Sequence, residues 1–402
     1  MSGRIYFDHS ATTPLDPRVL EAMLPFLADT FGNASSQHAE GRKAREAVET
    51  ARAQVAALLN ADANEIVFTG SGTEADNLAL IGAVRAGVGP AHVITSSIEH
   101  AAILETCRYL EETGVSVRHL PVDSDGLVDT LDLEAALRPE TRIVSVMAAS
   151  NLVGTVQPIS DLADITNEHG ALFHTDAVQA GGKIPIDVKG APIDLVSLSA
   201  HKLHGPKGIG ALFVRRGVEL APIVFGGGQE RGLRSATENV AAIVGFGLAA
   251  EIARQKMEAE SVRLRDLREM ILRVLADTVP QAYVIGHPEK RLPGHLSLGF
   301  AGQEVLAGRL VQLLDRAGVA VSAGSACNAH HADKPSNVLL AMGFDDERAR
   351  GLVRITLGRC NTEAEVDRFL VILPRLVAEL NPELDWTTSP ALAGTVLAGT
   401  SA

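Results

Sequence analysis

The segment Phe68-Thr69-Gly70-Ser71-Gly72-Thr73-Glu74-Ala75-Asp76-Asn77 passes from a strand-like run through small residues into a helical one. Free amides at such a helix start, the hydroxyls of Ser71 and Thr73 and the positive end of the helix dipole suit a phosphate group. A capped helix alone would also account for the pattern, with Thr73 and Asp76 as the capping pair. Gly70, Gly72 and Ala75 further satisfy a GxGxxG/A dinucleotide fingerprint, with Glu99 about one βαβ unit later as its ribose-binding acid. This stretch alone leaves the choice of ligand open.

Two further segments narrow it. His174-Thr175-Asp176-Ala177-Val178-Gln179 places Asp176 at a strand end, and Ser197-Leu198-Ser199-Ala200-His201-Lys202-Leu203-His204-Gly205-Pro206 places Lys202 at the end of the next. A carboxylate can pair with a protonated pyridine nitrogen, and a lysine can condense with an aldehyde. With a phosphate-binding helix start these are the three anchors of pyridoxal 5′-phosphate (PLP), and a nicotinamide cofactor has no use for the trio. Singly, Asp176 reads equally as a helix cap and Lys202 as a surface charge, so it is the conjunction that carries the reading.

These residues need a scaffold, and the chain supplies one. From about Pro17 to Gly245, apolar β-branched runs alternate with helical-period segments, as in a mostly parallel sheet covered by helices on both faces. Strands are expected at Glu65–Thr69, His92–Ser96, Val115–Leu120, Ile143–Ala148, Leu172–Thr175, Leu195–Ser199 and Gly210–Val214, with crossover helices at Ser36–Leu59, Glu74–Ala86, His100–Thr113, Leu131–Leu137 and Ile159–His169. A long charged helix from Asn239 to Ala276 bridges to an α+β region. That region has strands at Tyr283–Ile285, Leu296–Phe300, Val319–Ser322 and Arg354–Leu357, and helices around Glu304–Ala317, Ser336–Met342 and Thr362–Glu379. The expected division is a large domain over 16–256, a small domain from 1–15 and 257–380, and a flexible tail over 381–402.

Composition bounds the partners. Among 402 residues, 46% hydrophobic and 21% charged residues describe a globular chain with a sizeable core, and a net charge of −13 disfavours nucleic acid and anionic membrane surfaces. Neither an export signal nor an apolar run of roughly 18 residues is present, so a cytoplasmic protein is expected. Cys107, Cys327 and Cys360 lie far apart, without a disulfide framework or metal knuckle. Cys107 and Cys360 read as packing residues. His38, His330 and His331 could join Cys327 around a metal, but they lack ligand spacing and no metal is expected.

The sequence resembles the PLP-dependent fold-type I enzymes of the class-V aminotransferase group, and within it the cysteine desulfurases and selenocysteine lyases. The resemblance runs from Tyr6-Phe7-Asp8-His9-Ser10-Ala11-Thr12-Thr13-Pro14 to about Glu379. It is carried by Phe31-Gly32-Asn33-Ala34-Ser35-Ser36-Gln37-His38, the phosphate loop, Ile98-Glu99-His100, the Asp176 and Lys202 segments, Gly226-Gly227-Gly228-Gln229-Glu230-Arg231 and Ser322-Ala323-Gly324-Ser325-Ala326-Cys327. It implies an α/β fold: a large domain with a mostly parallel mixed sheet flanked by helices, plus a small α+β C-terminal domain. It further implies that Lys202 is joined to the cofactor, Asp176 pairs with its ring nitrogen and Gln179 bonds its ring hydroxyl. Gly72, Thr73, Ser199 and His201 would bind phosphate, His100 would stack on the ring and assist proton transfer, and Asn151 would lie beside it. Thr237 would reach the phosphate of a neighbouring subunit, which implies a homodimer, and Arg354 would grip the substrate carboxylate.

Cys327 stands in a loop of small residues, Ala323 to Ala329, suited to a thiol that visits the cofactor and then presents itself outside. The expected reaction converts L-cysteine to L-alanine, leaving Cys327 as a persulfide for a sulfur-acceptor protein in iron–sulfur cluster, thio-cofactor or tRNA pathways. Two features depart from the common desulfurase pattern. Ser150-Asn151-Leu152-Val153-Gly154 lacks the acidic residue that many carry before the glycine, and Cys327 to Ser336 looks closer to selenocysteine lyases, which release selenide from L-selenocysteine. An aminotransferase, which needs no Cys327, and a scaffold that keeps the fold without chemistry are the remaining alternatives.

Overall fold

The computed structural model describes residues 3–301, 307–324 and 335–380. Its strands are β1 (Ile5–Tyr6), β2 (Ile66–Thr69), β3 (His92–Ser96), β4 (Ser116–Leu120), β5 (Thr141–Ser145), β6 (Leu172–Asp176), β7 (Leu195–Ser199), β8 (Gly210–Val214), β9 (Ala282–Ile285), β10 (His295–Phe300), β11 (Val319–Ala320), β12 (Ser322–Ala323) and β13 (Val353–Thr356). The helices are α1 (Pro17–Leu27), α2 (Ala39–Leu58), α3 (Gly72–Ala86), α4 (Ala101–Glu112), α5 (Thr130–Ala136), α6 (Ile159–His169), α7 (Val240–Thr278), α8 (Ala307–Arg316), α9 (Asn337–Ala341) and α10 (Glu363–Leu380).

Strands β2 to β8 form one sheet in the order β2-β8-β7-β6-β5-β3-β4, parallel except for β8, which runs against both neighbours. Strands β2, β3, β7 and β8 are buried along their whole length, as a sheet covered on both faces requires. One face packs on α3 and α4 through residues such as Leu78, Ile103 and Leu110, and the other lies in a larger core with α2, α6 and the first part of α7, around Phe173, Phe213 and Phe246. Helix α2 buries Ala44, Val48, Ala51 and Val55 at helical spacing against that core, while Glu40, Arg42, Lys43, Arg45, Glu46 and Glu49 are exposed.

A second core surrounds the antiparallel sheet β12-β13-β10-β9, with Phe7, Leu298, Ile355 and Phe369 at its centre and the last part of α7 packed on it. Phe7 and Phe369 meet edge to face at 5.4 Å between centroids. The Val319–Ser322 run expected as one strand is broken at Val321. β11 pairs in parallel with β1, and β12 pairs antiparallel with β13. The cysteines split as well: Cys107 is buried on α4, its thiol pushed up to about 12 by burial, whereas Cys360 is exposed, contrary to the packing role expected of it. Among the described residues no helix is long and apolar enough to cross a membrane.

Candidate active site

Parallel α/β sheets offer ligands the crevice beyond their strand ends, and here that crevice is a cavity of about 500 Å³. Gly72, Thr73, His100, Asn151, Asp176, Gln179, Ser199, His201, Lys202 and Arg354 all line it, so the structure brings ten of the expected residues to one place. Asp176 is the last residue of β6, and Lys202 follows β7 by a single 3-10 turn.

At the phosphate end, α3 starts at Gly72 and its N-cap is Ser71, whose hydroxyl accepts from Glu74 N at 3.0 Å. The Thr73–Asp76 capping pair is therefore absent: Thr73 sits in the first turn and lines the cavity, and Asp76 is buried. The helix start lies tight against its neighbours. A Cβ on Gly210 of β8 would come within 2.5–2.8 Å of Ser71 and Gly72 backbone atoms, and one on Gly72 within 2.7 Å of Val178 Cγ2. His201 Nδ1 lies 3.0 Å from Thr12 Oγ1, and burial, helped by Lys202, Lys207 and Lys183, brings its pKa down to about 4.

Behind this surface sits a group of buried carboxyls. Asp176 Oδ1 accepts from Val178 N at 2.8 Å. Burial raises its pKa, and the Val178 amide and the charges of His100 and Lys202 oppose that rise. Asp76 is raised by burial and then by Asp176, while Glu99 is pushed up to about 8 by burial. Glu99 Oε1 accepts from Ser96 Oγ at 2.6 Å and Met147 N at 2.9 Å, so this residue ties the turn carrying His100 to the end of β5. Buried and absent from the cavity wall, it cannot serve as the ribose-binding acid of the dinucleotide reading.

His100 is the N-cap of α4, its Nδ1 accepting from Ala102 N at 3.1 Å. In the neutral ring that bond leaves the proton on Nε2. Lys202 Nζ donates to the Ser10 and Ala11 carbonyls, and Gln179 Nε2 shares the Ser10 oxygen at 2.9 Å. Arg354, from β13, is 3% exposed; its Nη1 donates to Asn151 O and its Nη2 to Asp8 Oδ1, both at 2.9 Å. Among the described residues its Nε has no partner, which leaves a buried donor for an incoming carboxylate.

These features fit PLP. The α3 start with Thr73, Ser199 and His201 supplies donors for a phosphate, and Asp176 is a buried carboxyl short of positive charge that a pyridinium would complete.

Among the described residues one expected residue stands apart from the cavity. Thr237 is exposed and does not line it. Its loop is anchored by the buried pair of Arg52 with Glu230, at 2.7 and 2.8 Å, and by Arg234 on Glu74. Cys327 lies outside the described residues, as do His330, His331 and the tail over 381–402. The chain enters that segment beside Arg354, because Ser322 of β12 is its register partner. Asp8, Ser10 and Ala11 belong to a quoted motif, yet sequence reasoning gave them no role. Lys183 carries no sequence signal beyond its position four residues after Gln179.

The profile of the aminotransferase class-V family matches residues 5–369. The chain is 46% identical to a cysteine desulfurase of Gluconacetobacter diazotrophicus over 379 residues, covering 94% of each chain. To cysteine desulfurase IscS 1 of Archaeoglobus fulgidus it is 46% identical over 376 residues, 93% of this chain and 97% of the relative. Among solved structures, a NifS-like protein superposes with a TM-score of 0.87 at 40% identity, over 94% of this chain and 100% of that one. The structure of SspA in complex with cysteine gives 0.78 at 38%, over 88% and 98%. With the helix-start cradle, the buried aspartate and the strand-end lysine in one crevice, and likeness along nearly its whole length, this chain belongs to the class-V aminotransferase family.

Proposed function

We propose that the chain is a PLP-dependent cysteine desulfurase, converting L-cysteine to L-alanine and passing the sulfur to Cys327. The observation that carries this reading is the single cavity in which Lys202, Asp176 and the α3 start face Arg354 across a space sized for cofactor and substrate. Relatives named cysteine desulfurase support it across the chain.

PLP, when bound, supplies an electron sink for the charge that develops at the substrate Cα. Lys202 would hold the cofactor and its Nζ would take the Cα proton. Asp176 would hold a proton on the ring nitrogen, Gln179 would donate to the ring oxygen, and Gly72, Thr73, Ser199 and His201 would bind the phosphate. His100 would lie against the ring and present Nε2–H, with Asn151 beside it. Arg354 binds the substrate carboxylate. The Cβ–S bond of cysteine breaks as an S–S bond forms with the Cys327 thiol, and the methyl group of alanine takes up the proton: cysteine plus thiol gives alanine plus persulfide. A second copy of the chain contributes Thr237 to the phosphate end, and an acceptor protein removes the sulfur.

The test is L-cysteine with reductant, following alanine and sulfide while mass spectrometry examines Cys327, with Cys327→Ala in parallel. Equal alanine and sulfide, a persulfide on Cys327 and a silent mutant are expected. Alanine and selenide from L-selenocysteine alone, undiminished in the mutant, would replace this reading with a selenocysteine lyase.

A further inference from the structure

Ser10 and Lys202 line both the cofactor cavity and a second chamber of about 70 Å³, walled in part by Lys183. Lys183 Nζ donates to Gln179 Oε1 at 3.2 Å, Gln179 Nε2 donates to Ser10 O at 2.9 Å, and Lys202 Nζ donates to that same oxygen. Two lysines are thus joined through one amide and one carbonyl. We propose that Lys183 is a positioning residue for Lys202: it locks the Gln179 amide with its nitrogen toward Ser10, and it sets a competing positive charge beside the Lys202 amine. This inference rests on the PLP reading of the site.

The lock follows from donor and acceptor types. An ammonium can donate only to the amide oxygen, and a backbone carbonyl can accept only from the amide nitrogen, so both ends of Gln179 are specified. Its second N–H is then a donor, and toward a ring oxygen Gln179 can only give a hydrogen bond, which favours the anionic form of that oxygen. Without Lys183 the amide is free to turn its oxygen inward.

The charge argument rests on the surroundings. Burial, then Lys202 and Arg354, bring the Lys183 pKa down to about 7. Like charges act on each other equally, so what Lys202 does to Lys183 is returned. His100, Asp176 from β6 and Arg354 from β13 stand on the cofactor side with Lys207, and Lys256 and Glu260 of α7 and Arg359 line the second chamber. Burial holds His9 down to about 3, His201 and His204 to about 4, and His295 well below its ordinary value. After burial, Lys202 is the group that acts most on Lys183.

Competitive acetylation of the cofactor-free protein with acetic anhydride across about pH 6 to 10, read peptide by peptide, reports the free-amine fraction of each lysine. Lys183→Met should raise the midpoint of Lys202 by about one pH unit, a roughly tenfold loss of reactive amine below the midpoint. Lys183→Arg, which keeps donor and charge, should hold the midpoint at or below that of the unaltered chain. By reciprocity Lys202→Ala should raise the midpoint of Lys183 by the same amount, a second reading should Lys183→Met fail to fold. An unmoved midpoint, or labelling slowed equally at every pH, would overturn the proposal and leave Lys183 a packing residue. Adding PLP and reducing with borohydride separates the two layers. An adduct on a lysine other than Lys202 would sink the site reading, whereas the labelling midpoints still decide the role of Lys183.

Discussion

The two cores contribute to the cavity in different ways. From the main sheet come Asp176, Ser199 and Lys202, each at or just after the end of a buried parallel strand, and the start of α3 laid against β8. The antiparallel sheet sends in one residue, Arg354, and fixes it by reaching outward, to Asp8 in the N-terminal segment and to the Asn151 carbonyl. Cofactor chemistry thus rests on the interior of one core, while the group for the substrate carboxylate rests on a cross-link between the two. The two functions should separate on mutation.

Lys202→Ala should have the largest effect, a loss of at least about a thousandfold in alanine formation together with loss of the borohydride-trapped adduct. Retained turnover would detach the chemistry from the main sheet. Next comes the core itself: Phe369→Ala should destabilise the second core by about 3–5 kcal/mol in denaturant titration and impair use of cysteine before it impairs retention of PLP. Simultaneous loss of both would merge the two regions into one functional unit. Arg354→Lys keeps a charge but loses the fork, so KM for cysteine should rise by about 10- to 100-fold with PLP affinity unchanged. A fall in PLP affinity instead would give Arg354 to the cofactor.

The smallest effect concerns a tie between the regions. Asp16 caps α1 and also binds Arg359, which follows β13, at 3.1 Å. Hydrogen bonds from Arg18 hold its carboxyl well below the ordinary value, against the cost of burial. Because the folded value is the lower one, the stabilisation is complete above the ordinary carboxyl range and disappears as pH falls below about 4. Asp16→Asn should cost about 1–2 kcal/mol at pH 7 and flatten the acid limb of the stability profile; an unchanged limb would remove Asp16 as a link.

The main sheet is plain in the sequence because its strands are short runs rich in Val, Ile and Leu that alternate with helical-period segments: β3, β7 and β8 fall at their expected limits. The break at Val321 was not, since it depends on partners hundreds of residues away or in another sheet. Helix α1 went unassigned among the crossover helices, its Pro17 and Pro25 breaking up the local signal. In the site, Asp176 and Lys202 announced themselves by residue type at strand ends. Asp8 and Lys183 did not, because each acts through one neighbour, Arg354 or Gln179, that no local pattern identifies. The Cys360 reading failed for a related reason: a strand end may leave a side chain on either side of the surface.

Helix α7 spans 39 residues, with Val240 to Ala253 in the first core and Leu267 to Leu275 in the second. Residues 254–266 between them contain neither glycine nor proline and bury no side chain fully. At 1.5 Å per residue the rod is roughly 58 Å long, and an unbroken helix resists compression and twist far better than a loop does. Mechanically the two cores are therefore coupled by a stiff shaft rather than by a hinge, in parallel with the Arg354 and Arg359 ties. Force applied to the second core reaches the main sheet along α7, whose middle is pinned by Ser261 on Lys183 O and by Arg263 on the Asn361 carbonyl.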